Sequence, residues 1–129
     1  PGVFTIDSSG KGPGAILNQD YSVNSASNPA EKGSVVLIYA TGEGETDPQV
    51  ADGRLGTPQV LPRPKLPVSI RIGGLEAEVL YAGAAPGMVV GLLQVNARVP
   101  PRAASGAAVP VVLTVGAASS PSGVTLAVR

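Results

Sequence analysis

The chain is expected to be all-β, folded as an antiparallel β-sandwich of about seven strands. Three observations predict this. Seventeen glycines and thirteen prolines are spread over 129 residues, so few stretches keep the length and 3.6-residue apolar rhythm that a helix needs. The stretches that escape these breakers are rich in β-branched residues. They recur at short spacing between turn signals, as in a sandwich, and no helical crossovers separate them.

Taken in order, Val3, Phe4 and Ile6 make a short apolar strand, followed by the link Lys11-Gly12-Pro13-Gly14. Residues 15–17 make another short strand. Residues 18–33 are rich in Asn, Ser and Asp, and Asn28-Pro29 signals a turn. Residues 1–33 are therefore read as an extended N-terminal segment, a first strand or a donated one, ahead of a sandwich core at 34–129. Residues 34–41 form a near-continuous apolar run, expected to be a central strand buried on both sides. Residues 42–66 carry four glycines and four prolines and read as one long irregular loop. Residues 68–72 alternate as a half-exposed strand, Gly73-Gly74 is a two-residue hairpin turn, and residues 76–81 return. Residues 82–87 read as a small-residue turn. The next strand, 89–99, places Leu93, Val95, Ala97 and Val99 on one face and Gln94, Asn96 and Arg98 on the other. Pro100-Pro101 ends it, and 108–115 and 124–128 are the last two strands.

Composition narrows the function. A chain of this length fits one domain and buries about two-thirds of its unfolded surface without metal or disulfide. One Phe, three Tyr and no Trp leave the core to Val, Leu, Ile and Ala. Nine basic residues balance nine acidic ones, which argues against capture of nucleic acid or an anionic membrane. No Cys and no His means no disulfide, no thiolate or imidazole metal site and no Ser-His-Asp triad. No apolar run reaches 18 residues, so no membrane-spanning helix is expected. A start at Pro1 without Met fits a processed product or a piece of something longer.

Few constellations carry chemistry. Lys11, Lys32 and Lys65 each adjoin Gly or Pro in polar loops, where a solvated amine keeps its high pKa and serves Ser-Lys catalysis poorly. Glu76 and Glu78 could pair with another carboxylate for glycoside hydrolysis, but four aromatics make a poor sugar cleft for an enzyme. Glu43, Glu45, Asp47 and Asp52 meet the oxygen chemistry of calcium loosely, without the EF-hand order; a solvated glycine loop is the alternative. Gly42 and Gly44 do not make a phosphate loop, because the glutamates between and after them repel phosphate. Arg54 and the basic pair Arg63 and Lys65 are expected to bridge the acidic loop. Tyr39 and Tyr81, with Tyr21, could stack on sugars, or fill the core with the hydroxyl at its rim. Gln94 and Asn96 are read as cross-strand hydrogen-bonding residues. Val3, Phe4 and Ile6, on their glycine link, form a candidate assembly strand that could pair with a neighbour's sheet edge and build a fibre.

Several stretches together resemble a known family. They are Pro1-Gly2-Val3-Phe4-Thr5, Ala15-Ile16-Leu17-Asn18, Asn28-Pro29-Ala30 with Gly33, and Tyr39-Ala40-Thr41-Gly42-Glu43-Gly44. Further along come Ile72-Gly73-Gly74, Ala77-Glu78-Val79-Leu80-Tyr81-Ala82-Gly83, Ala85-Pro86-Gly87, and Gln94-Val95-Asn96 with Val99-Pro100. In this order they resemble the "Solibacter C-terminal" type of domain of large secreted proteins in Acidobacteria and relatives. The resemblance implies an immunoglobulin-like fold, the second of two such units, similar also to modules of the IPT/TIG kind. It implies an extracellular or cell-surface location and brings no activity or catalytic residue. The expected function is a non-catalytic structural module for cell-surface assembly, spacing or adhesion. Its partners would be itself or neighbouring immunoglobulin-like domains. The alternative is a carbohydrate-binding module of a secreted multidomain protein, with polysaccharide as partner.

Overall fold

The computed structural model describes residues 1–42, 44, 46–47, 63–88 and 91–129. In chain order its strands are β1 (Gly2–Val3), β2 (Gly12–Pro13), β3 (Ile16–Leu17), β4 (Val35–Thr41), β5 (Thr46–Asp47) and β6 (Arg63–Pro64). Then follow β7 (Val68–Ile72), β8 (Leu75–Ala84), β9 (Leu93–Arg98), β10 (Gly106–Val115), β11 (Ala118–Ser119) and β12 (Val124–Val128). Among the described residues there is no helix, and so none long and apolar enough to cross a membrane.

The main sheet runs β1-β4-β9-β8-β7-β10-β12-β2, with β3 beside β4 and β11 beside β10; β5 and β6 form a separate small pair. Every pairing is antiparallel except β12 with β2, so the sheet is of mixed orientation. It curls at β8. The first residues of this ten-residue strand pair with β7, from Ile72 opposite Leu75 to Ile70 opposite Ala77. The remainder pairs with β9, from Glu78 opposite Arg98 to Ala84 opposite Leu93, with a register shift between Val79 and Tyr81. A bulge there sharpens the local twist and lets one strand serve two halves of the sheet. Gly73 and Gly74 make the β7–β8 turn with φ of 61° and 79°, the doubly positive geometry of a two-residue hairpin.

One aliphatic core joins the two halves. Val36, Ile38 and Ala40 of β4, Leu93, Val95 and Ala97 of β9, Ile70 and Ile72 of β7, Val111 and Leu113 of β10 and Leu126 of β12 are all buried in it. No aromatic residue belongs to this core. The alternation expected for β9 is observed, and Val99 continues its inward face. β4 departs from the expectation of burial on both sides: Val36, Ile38 and Ala40 face the core, while on its other face only Leu37, 9% exposed, is buried, Val35 and Tyr39 are half-buried and Thr41 is exposed.

Several boundaries differ from the sequence reading, and β5 and β6 pair within the stretch 42–66 that reads as one loop. Ala82–Ala84 continue β8, because small residues here pair with β9 as well as larger ones would. β9 begins at Leu93, with residues 91 and 92 outside any strand; 89 and 90 lie outside the described residues. β10 runs from Gly106 through Pro110, whose carbonyl accepts the Gly73 amide at 2.9 Å. Since N and O of one strand residue point the same way, the missing proline N–H falls beyond the last β7–β10 pair, Val111 with Ile72, and costs no ladder bond.

The N-terminal segment is tied down at both ends of the sheet. Gly2 and Val3 pair with Thr41 and Ala40, and the Phe4 amide donates to the Tyr39 carbonyl at 3.0 Å. The chain then turns through a hairpin closed by a bridge between Thr5 and Gly14. Gly12 and Gly14 donate to the Gly123 and Thr125 carbonyls beside β12, both at 2.8 Å. Ile16 and Leu17 return to β4 opposite Ile38 and Leu37. The same short segment thus covers the open edge of β4 and the open edge of β12. Its hairpin is stabilised by Asp7, which accepts from the Ser9 amide at 3.0 Å and the Thr5 hydroxyl at 3.2 Å. Hydrogen bonds from Ser9 hold this carboxyl below the usual carboxylate range.

Asparagines complete the cover. Asn24 is 3% exposed and its amide group takes the place of a strand. Its Oδ1 accepts the Ala127 amide at 2.8 Å and its Nδ2 donates to the Ala127 carbonyl at 2.9 Å. Nδ2 also donates to Asn18 Oδ1 at 3.0 Å, and Asn18 Nδ2 donates to the Asn28 carbonyl at 2.9 Å. Farther on, Ala30 forms a bridge beside Val128. The polar stretch that reads as irregular is held by these amides, with no β-period to reveal them.

Candidate binding face

The outer face of the β4–β9–β8 half gathers most of the chemistry-bearing residues. Directly opposite residues of antiparallel strands share a face. Tyr39 lies opposite Gln94, and Gln94 lies opposite Gly83. Leu37 lies opposite Asn96, and Asn96 lies opposite Tyr81. Tyr39, Gln94, Asn96 and Tyr81 therefore share this face, the two tyrosines two strands across and two residues along, roughly 12 Å apart. Phe4, hydrogen-bonded opposite Tyr39 while its neighbour Val3 enters the core, joins the same face and is 42% exposed.

Tyr21 completes the group. It lies in the turn after β3, 72% exposed, with φ of +68°. A tyrosine in the left-handed region is strained, so this turn presents the ring at a conformational cost. All four aromatic residues of the chain are thus outside the core.

Each tyrosine is held differently. The Tyr81 hydroxyl donates to the Ala84 carbonyl at 2.7 Å, and its ring lies so close over Gly83 that a Cβ there would meet the hydroxyl at 2.7 Å. The Arg63 guanidinium stacks on the ring, 5.3 Å from its centroid, a cation–π contact. Gln94 is 8% exposed, and its Nε2 donates to Asn96 Oδ1 at 2.9 Å, so this amide pair bonds along the strand and not across it. Burial raises the Tyr39 hydroxyl above its ordinary pKa of 10.0, with the Tyr21 phenol adding to the effect.

A raised folded-state pKa means the folded chain keeps a proton that the unfolded chain loses above pH 10.0. The Tyr39 contribution is whole below that pH and is lost as pH rises through the folded value. Tyr39→Phe, which cannot ionise, is expected to retain its stability further into alkali than the natural chain. Urea midpoints measured between pH 9 and 12 check this; parallel curves would show that Tyr39 carries no such linkage.

Next to Tyr21 lies a polar cavity of about 290 Å³, lined by Asn18, Gln19, Asp20, Asn28, Glu31 and Arg129 among others. Gln19 Oε1 accepts the Val35 amide at 2.9 Å, Asp20 Oδ1 accepts from Ser22, and Glu31 pairs with Arg129 at 2.6 Å. A second, more apolar hollow of about 600 Å³ lies over the β7–β8 turn and the start of β10.

The other sequence-derived candidates do not converge here. Of the acidic-loop residues, Glu43, Glu45 and Asp52 lie outside the described residues, as does Arg54. Asp47 is exposed on β5 opposite Arg63. Among the described residues no three Asp or Glu side chains gather as a metal site. Glu78 pairs with Arg98 at 3.1 Å on the exposed surface. Of the assembly-strand residues, Val3 is buried against β4 of its own chain, whereas Phe4 and Ile6 are exposed. Tyr21, mentioned in the sequence reading only beside Tyr39 and Tyr81, has the most exposed ring of the three. Its signal was its place in a polar turn between Asp20 and Ser22. Comparison with protein families, with curated proteins and with solved structures finds no match for this chain.

Proposed function

We propose that the chain is a non-catalytic structural module of the cell exterior, an immunoglobulin-like unit that joins copies of itself or neighbouring domains of its kind. Its joint is residues 1–17. The observation that carries this reading is that one short segment covers both open sheet edges, by two-residue ladders and backbone bonds. An identical segment from a neighbour would make the same bonds, so exchange between chains needs no new interface chemistry. Gly10, with φ of +81° between the first strand and the residues bonded to β12, supplies a link on which that strand would swing.

The strand order supports the immunoglobulin-like part. Labelled A to G in chain order, β1, β4, β7, β8, β9, β10 and β12 give neighbours A-B-E-D and C-F-G. That is the arrangement of the seven-stranded immunoglobulin sandwich. Membership of the secreted family that the sequence resembles belongs to the same reading, and so does the extracellular location. The direct test is whether a disulfide joining positions 2 and 41 closes within one chain or between chains.

A further inference from the structure

The structure points to a second property of the same sheet edge: we propose that the surface formed by Tyr21, Tyr39 and Phe4 with the adjoining polar cavity binds a neutral polysaccharide. Aromatic residues normally enter a core because they bury the most apolar area. Here the core excludes all four, and three of them belong to one sheet edge: Phe4 follows β1 opposite Tyr39, and Tyr21 lies in the turn after β3, which pairs along the same edge of β4. Tyr21 is placed there by a backbone conformation that glycine would adopt without strain. The faces of such rings accept the C–H faces of sugar rings.

The cavity beside them supplies the polar half of the chemistry. At about 290 Å³ it is at the small end of ligand pockets, suited to one sugar unit and not to a large cofactor. Its lining mixes donors and acceptors: the Gln19 amide nitrogen, the second Asp20 oxygen and the remaining Arg129 N–H groups are not engaged by any bond described above. Sugar hydroxyls both donate and accept, which such a lining needs. Two carboxylates against one guanidinium disfavour an anion, so phosphates and acidic glycans do not fit. A one-unit cavity whose lining includes Asp20, the residue before Tyr21, fits the end or a branch of a longer chain.

The test is electrophoresis of the whole chain in native gels cast with hydroxyethylcellulose, glucomannan, arabinoxylan or dextran, against a gel with none. The proposal expects retardation in at least one polysaccharide and a weakening of roughly tenfold for Tyr21→Gly. Since glycine suits φ of +68°, Tyr21→Gly should melt no lower than the natural chain, which separates lost binding from lost folding. Free migration in all four gels overturns the proposal, and so does retardation that Tyr21→Gly leaves unchanged.

Discussion

Asn24→Ala is expected to cost about 3 kcal/mol of stability, a large loss for a residue in a stretch that reads as a loop. The substitution removes two bonds to Ala127 and one to Asn18. It leaves the buried Ala127 strand amide and the Oδ1 of buried Asn18 without these partners. Each unsatisfied buried group costs about 1–3 kcal/mol, while the Ala127 carbonyl still accepts from Ala30 at 2.9 Å. The loss should appear as a fall of roughly 10 °C in Tm. Asn28→Ala is the comparison: its amide serves Ser22 and Val23 on the exposed side, and its loss should cost under about 1 kcal/mol. Equal effects at the two positions would mean that Asn24 is not acting as a strand.

Removal of residues 1–12 should have the larger consequence for association. It withdraws Val3 from the core and uncovers Tyr39 to Thr41 of β4 and Gly123 beside β12. In gel filtration with light scattering the intact chain is expected to give sizes in steps of 12.8 kDa, growing with concentration. The shortened chain should lose the ordered steps, and a free peptide of residues 1–12 should bind it and restore a capped, single-sized species. Stepped assembly that survives the deletion would remove the N-terminal strand as the joint. Gly42 reports on the same contact from the other side. A Cβ there would lie 2.6 Å from Pro1 Cα, and its φ is +83°, so Gly42→Ala should unseat the first strand and with it Val3, leaving the rest of the core in place.

The strands of the second half were legible because each carries its own signal. β7 and β12 are bounded by turn residues and fall where alternation places them, and the Gly73-Gly74 turn forms as its sequence requires. The aliphatic core followed from composition alone. What could not be read was long-range. Asn24 joins β12 across 103 residues, and a side-chain amide standing in for a strand leaves no period-2 trace. The candidate face was half legible. The sequence puts Gln94 and Asn96 on a polar face, but only the register of β4, β9 and β8 brings Tyr39 and Tyr81 to them. The exposure of Tyr21 depends on a left-handed turn that a tyrosine does not advertise. The sequence expectation of core-filling tyrosines assumed that large rings seek burial; here smaller aliphatics already fill the space between the sheet halves.

The measurement closest to the central claim uses the absence of cysteine in the chain. Gly2→Cys with Thr41→Cys places two thiols on directly opposed residues, within the Cα separation of about 4.4–6.8 Å that a disulfide spans. A Cβ at Gly2 meets nothing within 4 Å, so the pair is expected to fold without distortion. Concentrated protein is oxidised and run on a denaturing, non-reducing gel. Strand exchange predicts a covalent ladder of dimers, trimers and longer chains that collapses to 12.8 kDa on reduction. A single 12.8 kDa band at every concentration, with the disulfide formed, would place the strand permanently in its own chain and contradict the account.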